Sequence, residues 1–179
     1  MNDNDQNKQE DDQEEETVTE ESINEETAQA QPVQAGTEGA APRACAIIAA
    51  RAADSKKATD IVVQEVGALT SVAEYFVIAT ASNNRQVDAV VEAIEEHLRK
   101  EAHLKPFHRE GTDDGTWALL DYGSFIVHVF QPETREFYRL EALWNDAPVV
   151  DLEKEAGLTD LEYTARIARL VGRKAGAQE

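Results

Sequence analysis

The spacing of apolar positions changes several times along this chain, and each change predicts a different element. In NNRQVDAVVEAIEEHLRKEA (83–102), Val87, Val90, Val91, Ile94 and Leu98 fall at i, i+3, i+4, i+7 and i+11. That spacing paints one stripe on a helix and leaves Asp88, Glu92, Glu95, Glu96, Arg99 and Lys100 to the water. Ser82 is the predicted N-cap. DIVVQEV (60–66) is β-branched and stops at Gly67, which predicts a strand. YFVIATA (75–81) is apolar at both parities, as expected of a central strand covered on both faces. WALLD (117–121) and FIVHVF (125–130), joined by YGS, predict a hairpin, with DDG (113–115) turning the chain into it. LKPFHREG suggests a short edge strand, because Pro106 cannot donate within a sheet.

Helices complete the pattern. PRACAIIAARAADSKKA is Ala-rich and free of Gly, with Ile47, Ile48 and Arg51 across its turns. Pro132 stands where a helix would start, and TREFYRLEALW carries it to Trp144. Phe137, Leu140 and Trp144 lie at i, i+3 and i+7 and are expected to anchor this helix on the sheet. Tyr138 and Glu141, one turn apart, are the expected exposed pair. The fold class is α/β: a mixed β-sheet of about five strands flanked by helices, over residues 41–150. Residues 151–179 read as a charged extension in which LEYTARIARLVGRK suits a further helix.

Strand parity sorts the hairpin into two faces. Ala118, Leu120, Phe125, Val127 and Val129 make an apolar face that points to the helices. Trp117, Leu119, Asp121, Ile126, His128 and Phe130 share the other face. Two readings of that second face stay open on periodicity: a surface for a partner, or a face covered by another helix with His128 as a satisfied core histidine.

Charge changes the picture at the N-terminus. Residues 1–40 hold thirteen Asp and Glu against Lys8 alone, and no Phe, Trp, Tyr or Leu. Such a segment buries too little apolar surface to offset its ordering entropy, so a disordered acidic tail is expected. The rest holds 23 acidic residues against 16 Lys and Arg. With its basic residues scattered, it offers no footprint for a nucleic-acid backbone, and a basic protein surface is the favoured partner. MNDNDQNKQEDDQEEE lacks the basic start and apolar run of a signal peptide, and no run approaches membrane-span length. Cytoplasm and no membrane are the expectations.

Catalytic chemistry finds little support. His97, His103, His108 and His128 do not share metal-ligand spacing with each other or with Cys45. Cys45 sits among Ala and Ile and reads as a buried structural thiol. YGS joins two strands instead of opening a helix, so it offers no phosphate cradle. No cofactor and no metal are expected.

DIVVQEV, EYFVIATASNNRQVDAV, HREG and WALLDYGSFIVHVFQPETREFYRLEALW, in this order and spacing, strongly resemble the Iojap-like family of ribosomal silencing factors, RsfS. The resemblance spans about residues 45–150. It implies a nucleotidyltransferase-like fold without catalytic carboxylates, and a non-enzymatic repressor of translation. Such a protein binds the large ribosomal subunit through its fourteenth universal large-subunit protein and blocks joining of the small subunit when nutrients are scarce. Matched positions make Trp117, Asp121, Tyr122, His128, Tyr138, Glu141 and Trp144 the partner-contact candidates, with Glu110 and Gly111 at the family's EG pair. Gln64–Glu65, Glu74 and Ala81 depart from the family's usual residues. A diverged nucleotidyltransferase working near Asp121 and His128, and a scaffold or weak homodimer, are the alternatives.

Overall fold

The computed structural model describes residues 40–111 and 114–175, without the side chains of 173–175. The acidic segment expected to be disordered lies outside them, except for Ala40. Five strands form one sheet: β1 (Thr59–Glu65), β2 (Tyr75–Thr80), β3 (His108–Glu110), β4 (Trp117–Asp121) and β5 (Phe125–Phe130), in the order β1-β2-β5-β4-β3. Only β2 and β5 run parallel; the other three pairings are antiparallel. β2, which reads as apolar on both faces, is central and buried along its whole length, and so is β5 beside it. The strand after Pro106 is the edge.

Two helices roof the first face. In α1 (Pro42–Ser55), Pro42 opens the helix, and Ala46, Ala49, Ala50 and Ala53 form a small-residue stripe buried against the sheet and its neighbouring helix. α2 (Asn84–Glu101) buries the full predicted stripe of Val87, Val90, Val91, Ile94 and Leu98. Its N-cap is Asn83, not Ser82: the Asn83 side chain accepts from the Gln86 amide at 3.0 Å. Ser82 instead donates its own amide to the Gln86 side chain at 2.7 Å, one step outside the cap. Beneath these helices Val63, Val77, Val127 and Leu120 lie in register across four strands, with Phe125 beside them on β5. Cys45 is buried here, its thiol aimed at the Ala40 carbonyl, and burial pushes its pKa up.

The second face is covered by the chain after β5. α3 (Pro132–Tyr138) and α4 (Leu140–Leu143) replace the single helix expected to run to Trp144. Arg139 between them is left-handed, φ 46°, and breaks the helical phase. Residues 148–150 then pair with β1 and close that edge, through Glu65 N–H to the Pro148 carbonyl and Val150 N–H to the Val63 carbonyl. α5 (Leu152–Ala156) tucks Leu152 and Ala156 into the first core, and Arg43 clamps it by a two-pronged bond to Glu155. α6 (Ala165–Ala175) buries Ile167 against Val62 and Val149. So the charged extension packs on the domain over most of its length.

β1 carries a bulge at Asp60, where φ is 50° and one extra residue lies between the Thr59 and Val62 pairings. Polar groups that it frees are taken up by α3 and by the chain entering α6. Asp60 N–H donates to the Glu162 carbonyl, and the Asp60 carboxylate accepts from Thr164 N–H at 2.7 Å. Tyr163 O–H donates to the Ile61 carbonyl, and Arg135 to the Asp60 carbonyl. The bulge thereby fixes both α6 and α3.

Candidate partner-binding surface

Register puts Trp117 opposite Phe130, Leu119 opposite His128 and Asp121 opposite Ile126 on the second face. The cover from α3 and α4 stops short of β4, so Trp117, Leu119 and Asp121 are half-buried while their β5 partners are sealed. The covered-face reading therefore holds over β5, where His128 is a core histidine. Over β2 and β5 the face is core, and over β4 it stays open.

The open part is centred on Trp117. Its ring stacks on Phe130 at a centroid separation of 4.9 Å and meets Tyr138 at 4.9 Å. Its indole N–H donates to Nδ1 of His128 at 3.2 Å, which assigns the neutral imidazole tautomer with its proton on Nε2. His128 is 5% exposed, and burial pushes its pKa down to about 4, helped by the Arg135 charge. Tyr138 is 49% exposed and Phe137, edge-on to it at 5.0 Å, is 80% exposed.

These rings wall an open cleft of about 680 Å³ whose other sides are Gly111, Asp114, Thr116, Glu133 and Thr134. Two carboxylates and no Lys or Arg line it among the described residues. The backbone and side chain of Thr116 both donate to Asp114, which holds its carboxyl below the usual carboxylate range. Gly111 has φ 73°, and a Cβ there would lie 1.9 Å from the Trp117 carbonyl, so only glycine lets the chain pass under β4.

Of the seven residues matched from the family, the structure gathers Trp117, His128 and Tyr138. Asp121 lies at the far end of β4, its carboxylate accepting from Gly123 N–H at 2.7 Å to close the turn. Trp144 sits half-buried edge-on to Phe76 at 5.8 Å, on the opposite side of β5 from β4. Two candidates are corrected. Tyr122 is 5% exposed on the other side of the sheet, stacked on Phe125 at 4.7 Å, because the turn after Asp121 swings its ring under α2. Glu141 is 1% exposed: the left-handed Arg139 rotates it inward, where Arg135 at 3.4 Å and Arg166 pair with it. The same rotation turns Phe137, expected as an anchor, out to solvent, while Leu140 and Trp144 do pack on the second core. Tyr138 is exposed as expected, but without Glu141 beside it. Phe137, Asp114 and Glu133 also line this open face and were not among the candidates; for Phe137 the reason is the break at Arg139.

Among the described residues, no three His, Cys, Asp or Glu side chains converge where a metal could bind, and no helix is long and apolar enough to cross a membrane. What the fold and surface define is a small α/β module with an open aromatic face edged by carboxylates.

Residues 39–171 match the sequence profile of the family described as ribosomal silencing factor during starvation, RsfS. The chain belongs to this family. It is 39% identical over 106 residues to the ribosomal silencing factor RsfS of Bacillus subtilis (strain 168), covering 59% of this chain and 89% of that one. It is 36% identical over 94 residues to a mouse protein named mitochondrial assembly of ribosomal large subunit protein 1, covering 50% of this chain and 40% of the mouse protein. The crystal structure of a Chromobacterium violaceum protein superimposes with a TM-score of 0.56 at 35% identity, over 58% of this chain and 86% of that one. The family's name is that of a regulator.

Proposed function

We propose that this protein binds the large ribosomal subunit through the fourteenth universal large-subunit protein and blocks joining of the small subunit, lowering translation under nutrient limitation. It acts in the cytoplasm by occupying a surface, without catalysis. Family membership supports the ribosomal setting, and the name of the mouse relative supports the large subunit. The observation that carries the reading is the open face of Trp117, Tyr138 and Phe137 beside Asp114 and Glu133. Exposed aromatic rings supply the desolvated anchors of an interface, and the carboxylates select a basic partner.

Light scattering of purified subunits tests this, with the protein preincubated on each subunit in turn. Joining is expected to fail only when the large subunit is loaded first; if the order makes no difference, the reading fails. Phe137→Glu adds a charge at an exposed ring and should change stability by no more than about 0.5 kcal/mol. It is expected to weaken large-subunit binding by about tenfold or more, as the loss of an interface anchor does.

A further inference from the structure

The aromatic surface stands on weak supports. α3 has seven residues and α4 four, too short to be stable alone, and no side chain caps the N-terminus of either. The joint between them is the left-handed Arg139. What holds them is a charge cluster reached from the far end of the chain. Nε of Arg166 on α6 donates to Glu136 on α3 at 3.0 Å, and its Nη1 donates to the buried Glu141 on α4. Arg135 pairs with the other Glu141 oxygen through Nε at 3.4 Å, while its Nη1 donates to the Asp60 carbonyl and the Thr80 hydroxyl. Arg166 is thus the partner of Glu141 that ties α4 to α6. Desolvation works against the Arg166 charge, yet its bonds to Glu141 and Glu136 raise its pKa above the ordinary value.

α6 is itself anchored to the β1 bulge by Thr164 and Tyr163, and to Val62 by Ile167. A continuous path therefore runs from β1 through α6 to Glu136, which Phe137 and Tyr138 follow in the chain.

We propose that Arg166 is a positioning residue for the aromatic surface: α6 is a clasp that spans the α3–α4 joint, and its release loosens Phe137 and Tyr138 and weakens partner binding. The effect on binding rests on the reading of that surface given above.

Hydrogen exchange on the full chain tests the clasp without any partner. Arg166→Ala removes a hydrogen bond to a buried carboxylate and leaves Arg135 as its partner among the described residues, so exchange over residues 132–144 should speed up by about tenfold or more. Exchange in β2 and β5 should stay unchanged, large-subunit affinity should fall in parallel, and Arg166→Lys should recover part of both. Unchanged exchange over 132–144 overturns the clasp, and so does an equal rise in β2 and β5, which marks general destabilisation. Faster exchange with undiminished affinity upholds the clasp and overturns the surface as the gripping face. Should Arg166→Ala fail to fold, Glu136→Gln weakens the exposed α6–α3 bridge together with the Glu136–Arg139 pair; the same pattern at smaller amplitude is expected, and an equal effect from Arg139→Gln, which cuts only the second pair, overturns the clasp.

Discussion

The two faces of the sheet are built from different chemistry. Under α1 and α2 the core is carbon apart from the Cys45 thiol and the Tyr75 and Tyr122 hydroxyls, and its helices pack on it by stripes that any rotation would spoil. Under α3, α4 and α6 the buried polar side chains collect: Gln64, Thr80 and His128 on the strands, Asp60 at the bulge, Arg135 and Glu141 on the helices. Gln64 illustrates the style, its amide donating at 3.1 Å to the carbonyls of both Glu141 and Trp144. Hydrophobic burial is non-directional and supplies stability. Buried polar pairs add little net stability but are costly to break, so they tolerate few arrangements. The first face holds the domain together, and the second fixes how far the cover extends and where the rings of β4 and α3 stand.

Substitutions that strike one face and spare the other sharpen this division. Phe125→Ala opens a cavity under α2 and should cost about 3–5 kcal/mol in denaturant unfolding. A loss below about 1 kcal/mol would mean that the first face does not carry the stability. Acid should act on the second face through His128. Its folded pKa of about 4 lies below the ordinary 6.5, so the folded protein favours the neutral ring. The associated stability is complete above pH 6.5 and is lost as pH falls towards 4, reaching about 3 kcal/mol. His128→Gln should flatten the unfolding midpoint between pH 6.5 and 4.5 relative to the native chain, and parallel profiles would count against a buried neutral imidazole. The smallest effect is expected at Tyr122, whose buried hydroxyl has no partner among the described residues and whose pKa burial raises. Tyr122→Phe should be neutral or stabilising by up to about 1 kcal/mol and leave large-subunit binding unchanged. Weakened binding would return Tyr122 to the contact surface.

Legibility in the sequence followed the range of the interactions. The α2 stripe, the doubly apolar β2 and the parity of β4 and β5 were readable because each depends on a few consecutive residues and a fixed period. The surface was readable in part, through Trp117 and Tyr138. Phe137 and Glu141 exchanged roles because one left-handed residue, Arg139, resets the helical phase, and nothing in REFYRLEALW marks that residue. The burial of Glu141 depends on Arg166, 25 positions away, a pairing that no local pattern encodes.

The sequence alone determined the family, the alternation of elements and the apolar face of each, since periodicity and residue volume decide them wherever the chain is placed. Only the tertiary structure decided which half of the second face stays open, which ring is presented and which carboxylate is buried. Those outcomes turn on the reach of α3 and α4 across the sheet and on charges that meet only when the C-terminal helix comes back to β1.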